Sequence, residues 1–211
     1  MTDELSKIRF FAANYSRLQG LRALPVGMLA VFVSIWALYN QGPAADLTAP
    51  ILAAISAALL YWLAVRYYNR AFGQVKQTTS QRKREWIGSI AFGVLGLLAF
   101  VLDTTQLLAV SMLGLVFAVS FFEYFLRADR SEWKKILVYF PENIIGAILI
   151  AMISLLPLLG ITWWKAIGIG SQVVAVFMVV GVVIIVTGIW SHIRITRALS
   201  TGEAKSDDIA L

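Results

Sequence analysis

The sequence predicts an all-α integral membrane protein: six transmembrane helices paired as three hairpins, preceded by an amphipathic helix lying on the membrane surface. Three observations predict it. Hydrophobic residues make up 59% of the 211 residues and charged residues only 14%, with a mean hydropathy of +0.77; soluble domains carry roughly 25% charged residues. Six nearly uncharged runs approach the roughly 20 residues needed to cross a hydrocarbon core of about 30 Å. Lys and Arg collect between alternate runs, as the loops on one side of a membrane should. The organisation that follows is an interfacial helix over 1–22, a membrane domain over 23–191, and a short, partly disordered cytoplasmic tail over 192–211.

In the leading segment Leu5, Ile8, Phe11, Tyr15 and Leu18 recur at steps of three and four, with Lys7, Arg9 and Arg17 off that stripe and Asp3 and Glu4 in the first turn. That is the pattern of a helix lying in the interface plane. The apolar runs then extend over Ala23–Asn40, Ala49–Val65, Trp86–Leu102, Thr104–Phe122, Pro141–Leu159 and Ile167–Ser191. The first is read as an uncleaved helix, because a polar lead of 22 residues and a near-spanning length do not fit a signal peptide. Pro25, Pro50 and Pro141 fall in first turns, where a missing N–H costs nothing, and Asp103 or Thr104 is placed to cap the fourth helix. Pro157 is expected to end or kink the fifth helix. Ser131–Phe140, with Trp133, Ile136, Leu137 and Phe140 set against Lys134 and Lys135, reads as a second, shorter interfacial helix.

The basic residues predict orientation. Seventeen of the eighteen Lys and Arg lie before the first run, between the second and third, between the fourth and fifth, or after the sixth, and only Lys165 falls on the other face. Positive charge marks cytoplasmic loops, so both termini are expected in the cytoplasm, with a bacterial inner membrane as the natural setting. Arg66, Arg70, Arg82, Lys83, Arg84, Arg127, Arg130, Arg194 and Arg197 are expected to contact anionic lipid headgroups, each gaining about 1 kcal/mol near such a surface. Tyr67, Tyr68, Phe72 and Trp86 should lie on the lipid surface with them. A formal charge of +6 and pI near 9.7 suggest no nucleic-acid partner here, because the charge sits in short loops without a reading motif. Trp62 and Arg66, and Trp190 and Arg194, repeat one spacing at helix ends; a tripled hairpin would produce it, but interface anchoring, which independently puts Trp and Arg at such ends, is the preferred explanation.

Chemistry is sparse. The chain has no Cys and one His, and contains no HExxH, GxSxG or P-loop pattern. No catalytic residues, metal or cofactor are therefore assigned. Glu123 can pair with Arg127 one turn on, and Glu142 in a first turn suits the helix dipole. His192 reads as an interfacial residue. Small residues spaced by four, Ala53 and Ala57, Ser89 and Gly93, Gly114 and Ala118, and Ala147 and Ala151, are candidates for close helix packing. The function expected is a non-enzymatic accessory, scaffold or sensor subunit, with a membrane protein partner or a second copy of the chain. The alternative is a small transporter or pore for an uncharged or lipophilic solute, with Gln106, Glu123, Asn143 and Gln172 as its candidate polar path.

Overall fold

The computed structural model describes residues 19–40, 47–71, 79–127, 133, 137 and 141–207. The interfacial helix expected over 1–22 therefore lies outside the described residues except for its last four. The segment Ser131–Phe140 lies outside them except for Trp133 and Leu137. The described chain is helical, with no strand among the described residues.

A 3-10 turn, Gly20–Arg22, leads into α1, Leu24–Tyr39, with Pro25 in its first turn. It is followed by α2, Thr48–Ala71, α3, Thr79–Thr104, and α4, Met112–Arg127. Next come α5, Pro141–Leu155, a 3-10 extension Leu156–Leu159, a single turn Trp163–Ala166, and α6, Gln172–Asp207. Five stretches are long and apolar enough to cross a membrane: Gly20–Tyr39, Thr48–Ala71, Trp86–Thr104, Pro141–Leu159 and Gln172–Arg194. The remaining one, Met112–Glu123, is shorter. Among the described residues, five helices thus have the length and composition of full spans where the sequence reading expected six, and the molecule is a multi-pass helical membrane protein.

Three boundaries depart from the sequence reading. The basic stretch after the second run is mostly helical, since α2 continues to Ala71 and α3 begins at Thr79. The fourth helix begins at Met112 rather than Thr104. Thr104 ends α3, its hydroxyl donating to the Val101 carbonyl oxygen, and Gln106 then turns the chain with φ of 52°. The sixth helix begins at Gln172 rather than Ile167, because Gly168 at φ of 79° breaks the chain before it, and it runs on through Asp207 into the tail expected to be partly disordered.

The last helix is the hub. It packs against α1 and α5, and also meets α3, α4 and the 3-10 turn, while α2 packs on α1 and that turn. Its contact with α1 depends on glycine. A Cβ on Gly27 would stand 2.8 Å from the Gly181 carbonyl oxygen, and one on Gly181 would stand 2.8 Å from that of Gly27. Seven residues away in each segment, Gly20 of the 3-10 turn meets the Gly188 backbone of α6 in the same way. Without lipid-to-protein hydrophobic transfer to drive association, such backbone approach supplies the dispersion energy. Ala118, Ile150, Val176, Val180 and Val183 form the central core where α4, α5 and α6 meet. The long apolar side chains of α2 and α3 are largely exposed, as lipid-facing helices require.

Candidate functional site

Polar side chains concentrate at the two ends of the bundle. At the end opposite the arginines, α4 starts inside the protein, and all four of its otherwise orphaned N–H groups find acceptors. Ser111, the residue before the helix, donates its N–H to the Ser154 carbonyl oxygen at 3.1 Å. Met112 and Leu113 donate theirs to the Asp103 carboxylate at 2.7 and 3.2 Å, and Gly114 donates to Ser111 Oγ at 3.1 Å. The Ser111 hydroxyl donates in turn to Asp103 Oδ2 at 2.6 Å. Asp103, Ser111 and Ser154 are all buried.

Pro157 explains why Ser154 has a carbonyl to offer. Lacking an N–H, it leaves the carbonyls three and four residues before it without their usual donor. The Ser154 oxygen takes the Ser111 N–H, and the Ile153 oxygen takes Trp163 Nε1 at 3.2 Å. One proline thus ends α5 and creates the acceptors that dock two other segments. Close passage is needed there, since a Cβ on Gly114 would meet the Ser154 side chain and come within 3.2 Å of Val176.

At the basic end, Tyr68 is completely buried. Its hydroxyl oxygen accepts from the Leu21 N–H at 3.3 Å, and the same hydroxyl hydrogen-bonds to His192 Nδ1 at 2.9 Å. Tyr67 packs edge-on against the rings of both Tyr68 and His192. On the other side of α6, Glu142 forms an ion pair with Arg194 at 3.1 Å and accepts from Ser191 Oγ at 3.2 Å. Gln19 Oε1 and Arg22 Nε are buried without partners. Arg66 covers the Trp62 ring at 5.3 Å.

The residues singled out for a polar path are not brought together. Gln106 is exposed in the turn after α3, and Gln172 opens α6 at that same end, its Nε2 buried without a partner. Asn143 is in the first turn of α5 and Glu123 near the far end of α4, both at the basic end. Between the pairs stand Ile150, Val176, Val180 and Val183. Of the expected headgroup contacts, Arg66, Arg70, Lys83 and Arg197 are exposed and Arg194 is half-buried in its ion pair. The side chains of Arg82, Arg84, Arg127 and Arg130 lie outside the described residues. Tyr68, read as lipid-facing, is instead packed inside, because it continues the less exposed stripe of α2 through Ala53, Ala57 and Ala64.

Sequence reasoning missed the Tyr68–His192 bond and the α1–α6 glycine contact. The second had a signal, since Gly20 and Gly27, and Gly181 and Gly188, are each seven apart. No group of three or more His, Cys, Asp or Glu suited to a metal ion occurs among the described residues. Comparison with known protein families, with curated proteins and with solved structures finds no match.

Proposed function

We propose that this protein is a non-enzymatic component of a bacterial inner membrane, with both termini in the cytoplasm, acting as an accessory, scaffold or sensor subunit for another membrane protein. The observation that carries this reading is how the polar groups within the bundle are used. Asp103 caps α4, Glu142 is paired with Arg194, and the hydroxyls of Ser34, Ser154 and Thr187 donate back to carbonyls one turn earlier in their own helices. Polar groups spent on internal bonds hold the helices in place and offer nothing to a solute. Anionic lipid headgroups are the partner of the arginine-rich end, and nucleic acid is not.

Transport of an uncharged or lipophilic solute is the second reading, favoured by the unpartnered Gln172 amide. Photo-crosslinking in native membranes from Leu59 on α2 and Leu97 on α3, both exposed, separates the two. A discrete protein adduct is the expected outcome. Labelling of lipid alone, together with a solute flux in proteoliposomes that Gln172→Leu abolishes, would overturn the scaffold reading in favour of transport.

A further inference from the structure

We infer that the leaflet opposite the basic end is thinned beside α3 and α4, so that phospholipid headgroups and water descend to the buried start of α4. Depth is the first observation. Gly20, Tyr68, Ser191, His192 and Glu142 are tied to one another, through the Gly20–Gly188 contact and the bonds from Tyr68 and Glu142, and so define one level at the basic end. At 1.5 Å per residue, the far ends of α1, α2 and α6, at Tyr39, Thr48 and Gln172, lie about 29 Å from that level, the thickness of a hydrocarbon core. The 3-10 extension of α5, rising about 2 Å per residue, brings Leu159 to nearly the same height.

Only the α3–α4 flank falls short of that plane. Ser154, which accepts from Ser111, is twelve residues from Glu142, about 18 Å, and Val176, which a Cβ on Gly114 would approach, is fifteen from Ser191, about 23 Å. The Asp103 node is therefore about 6–11 Å below the other helix ends. α3 is lowered rather than short: Trp86, 69% exposed and of a type that settles among headgroups, is seventeen residues from Asp103, about 26 Å, and so stands beyond the basic level.

The second observation is the backbone that fills the missing layer. Every residue from Thr104 to Ala109 is exposed, and the chain is non-helical from Thr105 to Ser111. Gln106 and Ser111 donate their N–H groups to Asp103 and Ser154, but those of Leu107, Leu108, Ala109 and Val110 between them find no acceptor among the described residues. Acyl chains offer none either, so water must reach this connection. A bilayer brings headgroups and water down together beside an apolar stretch that is too short to span it, and Met112–Glu123 of α4 is such a stretch.

The test uses the absence of cysteine from the chain. Thr104→Cys, beside Asp103, and Leu107→Cys would each carry a fluorophore in full-length protein reconstituted in phosphatidylcholine bilayers. Quenching is read with a nitroxide on the lipid headgroup and, separately, with one midway along the acyl chain. Leu52→Cys is the control for height, because α2 holds it sixteen residues from Tyr68, about 24 Å above the basic level. Asn40→Cys, at the end of α1, gives the headgroup reference and Leu97→Cys, in the middle of α3, the acyl reference. All five positions are exposed, so the labels do not displace core residues. The expected headgroup-to-chain quenching ratio at Thr104 and Leu107 is close to that of Asn40 and several-fold above that of Leu52. Equal ratios at Thr104 and Leu52 mean that the leaflet keeps one thickness around the protein and overturn the inference. Weak quenching by both nitroxides at Thr104 means that protein, not lipid, surrounds the connection and overturns it equally.

Discussion

Asp103 and Glu142 are carboxylates whose partners define specific work, and they predict different costs. Asp103 accepts from two backbone N–H groups and a hydroxyl in a site from which water is excluded. Hydrogen bonds to charged groups contribute about 1.5–3 kcal/mol, and removing the acceptor also leaves buried donors unpaired. Asp103→Ala is therefore expected to destabilise the protein by about 3 kcal/mol, read as a lower midpoint of thermal unfolding in detergent micelles. Glu142 holds Arg194 and Ser191 in a half-buried position, and Glu142→Gln is expected to cost about 1–3 kcal/mol. Glu123→Gln, by contrast, should cost about 0.5 kcal/mol, the size of an i, i+4 pair on a helix surface, and leave the fold intact. Equal losses for the two glutamate variants would show that the Arg194 pair carries no special weight. The capping role of Asp103 was legible in the sequence, because a carboxylate between two apolar runs has few other uses. What it caps was not. The helix start moved to Met112 because Ser111, eight residues on, supplies the side chain that Asp103 organises.

At the scale of elements, the α1–α6 contact is the joint most sensitive to size. Gly27 and Gly181 approach each other so closely that any side chain at either must push the helices apart, and overpacking of this kind costs about 1–3 kcal/mol. Gly93 offers the contrast, since a Cβ there meets nothing within 4 Å. Gly27→Leu is thus expected to lower the unfolding midpoint sharply, whereas Gly93→Leu should leave it unchanged. A loss with Gly93→Leu and none with Gly27→Leu would mean that α3, and not α1, makes the close contact. The spacing-by-four rule picked out Gly114 and Ala118, which are buried against α5, but also Ser89 and Gly93, which are not. The working stripe of α3 is the neighbouring one, Gly88, Phe92, Gly96, Ala99 and Asp103. A helix that is apolar all round carries small residues on more than one face, and only the partner decides which face is used. The 3.6-residue period is also weak in such helices, which is why their existence was clear from the sequence and their rotation was not.

For the molecule as a whole, the balance of charge is the property that its packing does not explain. Arg22, Arg66, Arg70, Lys83, Arg194 and Arg197 share the end at which Glu142 pairs with Arg194 and Tyr68 meets His192. Arg194 has its guanidinium tied to the Glu142 carboxylate, whereas the side chains of Arg66, Arg70 and Lys83 are exposed. Charge that packing does not need is charge available to fix orientation during insertion, when the side with more Lys and Arg is retained in the cytoplasm. The segment before α3 bears on this most directly, because α3 and α4 form a hairpin of their own and the apolar part of α4 spans only about 18 Å. A short helix inserts with less apolar surface to drive it, so its pair depends more on the flanking charges. Replacing Arg82, Lys83 and Arg84 together with neutral residues is expected to disturb insertion of this hairpin while leaving α1 and α2 in place. Single cysteines at Asn40 and Leu107, each introduced into the charge-neutral background, would report the change to an impermeant thiol reagent. Accessibility at Asn40 should be unaltered, whereas the fraction of chains whose Leu107 site faces the opposite side should rise. Unaltered reactivity at both sites would show that contacts with α5 and α6 orient the hairpin, and that the arginines are there for the lipid surface alone.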